Sequence, residues 1–209
     1  MIPRYQKILL TLLLIASLGM GFKLWQLRDS AHKHLLAGET TAPTQAPEVA
    51  PAEQATLVAA NDLDNSLVPQ MHSLPLPADP GARARAVLGK LLDLYAAPDS
   101  THPVPGGAAS VAQVFLLPVP VAKAAAQASG DQLAVVNLTG TFAASHPSGL
   151  ETESLTVLSI CATIRANLPN VTEVRFLIDG QPRPTLAGHA DLTRTYLTAD
   201  ATPTEGSRP

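Results

Sequence analysis

The stretch from Gly149 to Arg194 constrains the fold more than any other, because it reads in succession as a helix, a strand and a tight turn. Val157, Ile160, Cys161, Ile164 and Leu168 recur at the three- and four-residue spacing that gathers side chains on one helix face. Pro169-Asn170 stops that helix. From Val174 to Asp179 the period changes to two, with Val174, Phe176 and Ile178 on one face and Arg175, Leu177 and Asp179 on the other. The first of these faces is wholly apolar, so the strand is expected to lie against a helix. Asp179-Gly180 then suits a sharp reversal, since Gly accepts positive φ and Asp bonds its own backbone.

Another helix is marked earlier, where Asp79 can cap free amides and Pro80 is favoured at the first helical position. Val87, Leu88, Leu91, Leu92 and Tyr95 form its one-sided stripe, closed by Pro98-Asp99. Ala55 to Ala60 reads as a first strand ended by Asn61 to Asn65, and Leu67-Val68-Pro69 with Met71 to Leu76 as a second extended piece. Val111 to Leu117 and Gln132 to Leu138 read as strands joined by a variable connection from Pro118 to Asp131. The order strand, helix, two strands, helix, strand predicts an α+β fold, a small mixed or antiparallel sheet with two helices packed on one face. The two strand-helix-strand halves share no residue-by-residue similarity, so no duplication is expected.

The fold cannot use all 209 residues, because many of the 19 prolines stand in polar segments that bury too little to offset chain entropy. Arg4 and Lys7 precede an uncharged run from Ile8 to Phe22, and a snorkelling Lys23 extends it through Trp25 and Leu27. Residues 8–27 are therefore expected to form a transmembrane helix or signal segment, the uncleaved anchor being preferred, after a cytoplasmic stretch 1–7. Gly19-Met20-Gly21 makes a weak cleavage site, and no Cys follows for lipid attachment. Residues 28–54, rich in Pro, Ala and Thr, read as an extended tether, 55–196 as the folded domain and 197–209 as a disordered tail. The expected arrangement is a single pass through a membrane, with the tether favouring export of the carboxy-terminal domain. Residues 35–209 hold nine Lys or Arg against sixteen Asp or Glu, a balance of −7, and show no basic stripe, so nucleic acid is not an expected partner.

Candidate chemistry is sparse. Asp179, His189 and Asp191 offer the best ligand or catalytic set, although no further His or Cys stands at ligand spacing; the competing reading has Asp179 shaping the turn and Asp191 capping a terminal segment. His102 and His146 each precede Pro and read as loop residues, while Ser154 and Ser159 lie on a helix without a nucleophile-elbow context. Gly106-Gly107 lacks the spacing and Lys of a phosphate-binding loop. Glu151 and Glu153 are expected to complement the positive end of the helix dipole. Cys161, the lone cysteine, reads as a small buried hydrophobe. Asn137-Leu138-Thr139 and Asn170-Val171-Thr172 match glycosylation acceptors. No catalytic, cofactor-binding or metal residue is expected.

Several local strings taken together resemble the GerMN domain, the sporulation and spore germination module of bacterial envelope proteins. They are Leu67-Val68-Pro69, the helix around Val87 to Leu94 with its Pro-containing loop, the Gln132 to Leu138 strand with Phe142 beyond it, and the path from Leu168-Pro169 through Val174 to Gly180. Leu186, Gly188 and Asp191 resemble the family's ending, and the likeness spans roughly residues 55–195. The Ala-rich first strand and the long Pro118 to Asp131 connection depart from the family's pattern. The resemblance implies an extracytoplasmic, non-enzymatic domain that mediates association with envelope proteins or with itself, without cofactor or small-molecule substrate. An exposed sheet face or an edge strand is the expected contact surface. Two other readings compete. A cell-wall glycan or peptide binder would draw on Tyr95, Phe115, Phe142, Phe176 and Tyr196, most of them in predicted core elements, and an envelope hydrolase would draw on His189 and Asp191.

Overall fold

A computed structural model describes residues 52–119 and 131–201, together with Ser17, Met20 and Lys23. All but those three residues of the expected anchor over 8–27, most of the tether and residues 202–209 lie outside the described residues. The start of the tail, expected to be disordered from 197, is instead ordered, with Leu197 in a strand, Thr198–Asp200 in a 3-10 turn, and Thr198 and Ala201 buried. Among the described residues no helix is long and apolar enough to cross a membrane.

The chain runs β1 (Ala52–Asn61), β2 (Ser66–Pro75), α1 (Pro80–Tyr95), β3 (Val111–Pro118), β4 (Gln132–Leu138), α2 (Gly140–Ser145), α3 (Leu150–Asn167), β5 (Val171–Ile178) and β6 (Tyr196–Leu197). Short 3-10 turns occupy Gly107–Ser110 and Thr198–Asp200. The class is α+β, as the pattern predicts, but the single small sheet is replaced by two. β1 and β2 form a separate antiparallel hairpin, and β3-β4-β5-β6 form a mixed sheet in which β4 and β5 run parallel. The second extended piece, read over Leu67 to Leu76, is the strand β2, continuous through Gln70 from Ser66 to Pro75.

Local signals explain the parts that match. The Asp79 carboxylate accepts the Ala82 N–H at 2.7 Å, a cap that stabilises a helix start by about 1 kcal/mol. Val87, Leu88, Leu91, Leu92 and Tyr95 are all buried, as the stripe requires. β5 buries Val174, Phe176 and Ile178, and its turn has φ of 49° at Asp179 and 75° at Gly180. Ile178 and Gln181 exchange both backbone hydrogen bonds at 2.9 Å across that turn, a two-residue reversal that needs positive φ at both central positions. Both long helices pack against β1, and they also reach the inner face of the four-stranded sheet, α1 at β3 and α3 at β5. The core lies there, around Leu57, Leu91, Val136, Ile160 and Phe176.

The reason β1 leaves the main sheet is polar. Its edge away from β2 is bonded by side chains of the helices: Thr56 N–H donates to Asn167 Oδ1 at 3.0 Å, Val58 N–H to Thr163 Oγ1 at 2.9 Å and Ala60 N–H to the Tyr95 hydroxyl at 2.9 Å. Asn167 Nδ2 returns a bond to the Thr56 carbonyl at 2.7 Å. These donors are satisfied without a third strand, as buried backbone groups must be.

Candidate association surface

Alternation along the four-stranded sheet sends Val114, Ala134, Val136, Val174 and Phe176 inward and fully buries them. The opposite face should then be polar if water covers it. It is largely apolar. Register places Leu117, Leu133, Glu173 and Leu197 in one row across all four strands, and Phe115, Val135 and Arg175 in the next. Phe115, Leu117 and Leu197 are 43%, 48% and 50% exposed, whereas Leu133 and Val135 are partly covered by their neighbours. Glu173 and Arg175 have no ion-pair partner among the described residues.

The free edge of the hairpin is a poorer surface. Because Thr56, Val58 and Ala60 turn their amides away from β2, their partners Met71, Pro69 and Leu67 turn theirs away from β1. Pro69, and Pro75 opposite Ala52, fall in that outward row and supply no donor. Proline at such positions discourages strand addition.

The sequence-predicted ligand set does not assemble. Asp179 Oδ1 accepts the Gly140 N–H at 2.8 Å, and Asp191 Oδ1 accepts the N–H and hydroxyl of Thr193 at 2.8 and 2.6 Å, so both serve turns. His189 Nδ1 instead meets Glu153 Oε1 at 3.0 Å. Among the described residues no group of three or more His, Cys, Asp or Glu could hold a metal.

Glu153 departs most from its expected role. It is fully buried, and its Oε2 accepts the backbone N–H groups of Ala187, His189 and Ala190, each at 2.9 Å, while Oε1 takes Gly149 N–H at 3.3 Å. Burial opposes ionisation, but the amides of Ala187 and Ala190 with the ring and amide of His189 outweigh it and hold the carboxyl at about 2. Glu153 pins the loop after β5 to the start of α3; Glu151 is exposed beside it.

His102 and His146 occupy loops, as read, yet both are buried. His102 Nδ1 faces Asp62 Oδ1 at 2.6 Å and Nε2 faces Thr156 Oγ1 at 2.7 Å; His146 Nε2 meets the same hydroxyl at 2.8 Å, and its Nδ1 meets the Pro147 carbonyl at 2.8 Å. Both Nδ1 atoms face acceptors and so carry hydrogen. The single hydroxyl hydrogen of Thr156 also faces the Thr152 carbonyl at 3.0 Å, so this one side chain ties both rings to the helix backbone. Burial lowers the His146 pKa, with the Pro147 contact opposing. Tyr95 packs edge-on to His102 with ring centroids 4.7 Å apart and donates to Ser159 Oγ at 2.8 Å. The Thr-His-Asp order is that of a nucleophile triad, but Thr156 and His102 are 0% exposed and closed to a substrate. Cys161 is also fully buried, which pushes its thiol up to about 12.

Residues 54–184 match the profile of the family described as Germane, sporulation and spore germination, the family the residues resembled. No curated protein matches the chain. A crystal structure of a candidate lipoprotein from Clostridium perfringens aligns at 19% identity and a TM-score of 0.33, covering 75% of this chain and 95% of that one.

Proposed function

Starting from the fact that the chain belongs to the Germane, or GerMN, family, we propose that it is an association module of the bacterial cell envelope, held at the cytoplasmic membrane by residues 8–27 and presented outside by its tether. The observation that carries this reading is the apolar outer face of the four-stranded sheet. Contiguous exposed apolar side chains on a sheet mark a surface that another protein covers. The domain acts by binding rather than by catalysis, with the His102 cluster serving to hold the hairpin. The glycan-binding alternative is disfavoured by burial, since Tyr95, Phe142, Phe176 and Tyr196 lie in the core and only Phe115 of the five aromatics is exposed for stacking.

Proximity crosslinking of the full-length protein in its host tests the proposal. Labelled envelope proteins or copies of the chain, lost on Leu117→Glu, support it; retention of the unchanged domain by purified cell wall, with no protein captured, sinks it.

A further inference from the structure

Resting on that association reading, we propose that the partner is a second copy of this chain, docked face to face through the outer sheet surface about a two-fold axis. The register of the sheet carries the argument. Glu173 and Arg175 lie on the same face of β5, two residues apart, so they sit roughly 6.6 Å from each other along the strand. An axis lying across the strands, midway between their rows, brings the Glu173 row of one copy over the Arg175 row of the other. Each Glu173 then meets the partner's Arg175, and the pair forms twice. The same operation lays Leu117 and Leu133 over the partner's Phe115 and Val135, apolar group on apolar group. A two-fold interface needs one patch that complements itself, and this patch meets that condition in charge and in hydropathy together. Strand directions stay aligned across the interface, the common geometry for stacked sheets about 10 Å apart.

An axis parallel to the strands lays each row over itself, so Glu173 would meet either Glu173 or a leucine of its own row and never Arg175, and charge therefore favours the axis across the strands. Neither charged residue has an ion-pair partner among the described residues of its own copy, so both are available to the second copy.

The test exchanges charges in the full-length protein, purified in neutral detergent and measured by analytical ultracentrifugation. Wild type is expected to dimerise; Glu173→Arg alone and Arg175→Glu alone are each expected to weaken dimerisation by roughly tenfold or more through like-charge contact. The double variant Glu173→Arg/Arg175→Glu regains it. An equimolar mixture of the two single variants forms a heterodimer, since one copy then presents two arginines and the other two glutamates. The mixing result also shows that each variant is folded. Dimerisation unchanged in both single variants overturns the proposal, because the contact then lies elsewhere. A wild type that stays monomeric while host crosslinking still captures other envelope proteins also overturns it and leaves the association reading standing; capture of nothing removes both.

Discussion

Replacing Glu153 by Gln removes one charge and leaves the side chain's shape. In the folded chain the carboxyl sits at about 2 against an ordinary value of 4.5, a displacement worth about 3 kcal/mol. That figure is the differential stabilisation of the ionised form by the three Oε2 amide contacts and His189, after the burial cost. The Gln carbonyl keeps part of these bonds in neutral form, but its amide group has to stand where Oε1 accepts from Gly149 N–H, donor against donor. Glu153→Gln is therefore expected to unfold about 3 kcal/mol more easily at pH 7, with a midpoint temperature lower by roughly 10 °C.

The pH dependence separates this cause from a packing defect. Between pH 4.5 and 2 the unfolded chain binds a proton at Glu153 that the folded chain does not, so wild-type stability from this group is complete above about 4.5 and lost as pH falls through about 2. The variant has no such group. Every other carboxylate titrates in both proteins and cancels in the difference, so the gap between their denaturant midpoints should close towards zero near pH 2. A gap that persists undiminished from pH 7 to pH 2, or one below about 1 kcal/mol at pH 7, would refute the assignment of Glu153 as an ionised anchor.

Other substitutions probe the remaining elements. Gly81→Ala should destabilise by about 1 kcal/mol or more despite its better helix propensity, because the added Cβ would come within 2.9 Å of the Val114 carbonyl oxygen; an unchanged or raised midpoint temperature would contradict the tight approach of α1 to β3. His102→Leu leaves Asp62 without its ring partner and Thr156 with only the His146 ring, and should cost about 1–3 kcal/mol in urea unfolding, while a neutral result would show that the cluster is not structural. His146, whose pKa burial lowers, contributes stability that is present above its unfolded value near 6.5 and lost as pH falls through its lower folded value; His146→Gln should flatten the stability curve on the acid side of pH 6.5, as followed by thermal melts. Cys161 should resist a thiol reagent at pH 8 until the chain unfolds, so rapid labelling of the native protein would contradict its burial.

What the sequence made legible was what neighbours along the chain decide. Asp79-Pro80, the Val87 to Tyr95 stripe and the Asp179-Gly180 reversal each depend on a few adjacent residues, and each stands where it was read. Gln132–Leu138 matched to the residue, because a short apolar run of strand length is bounded there by Gly130-Asp131 and Thr139-Gly140. The second extended piece was legible through Pro69, which a strand tolerates at an outward edge position where its missing donor has no partner to lose. Glu153 could not have been found, since the amides it binds lie 34 to 37 residues away in a loop without pattern. The two-strand hairpin was missed for a related reason, because what separates β1 from the larger sheet is a set of helix side chains.

Those side chains form a series. Thr156, Ser159, Thr163 and Asn167 recur at spacings of three and four along α3, a polar stripe that binary patterning assigns to solvent, yet Thr156, Ser159 and Thr163 are completely buried. Opposite them run Thr56, Val58, Ala60 and Asp62 of the hairpin, at steps of two. Asn167 and Thr163 bond the first two amides directly; Ser159 and Thr156 reach the last two residues through Tyr95 and His102. The match follows from geometry, because four helical residues rise about 6 Å and two strand residues about 6.6 Å. The drift between the two repeats accumulates along the series, and it is at the far end that a tyrosine and a histidine bridge a gap the shorter side chains do not span. The helix thus takes the place of a third strand. A slip of β1 by one residue would turn the amides of Leu57 and Ala59 towards α3 and leave the stripe facing none of its present donors. The polar stripe, more than the apolar contacts around it, therefore fixes where the hairpin sits.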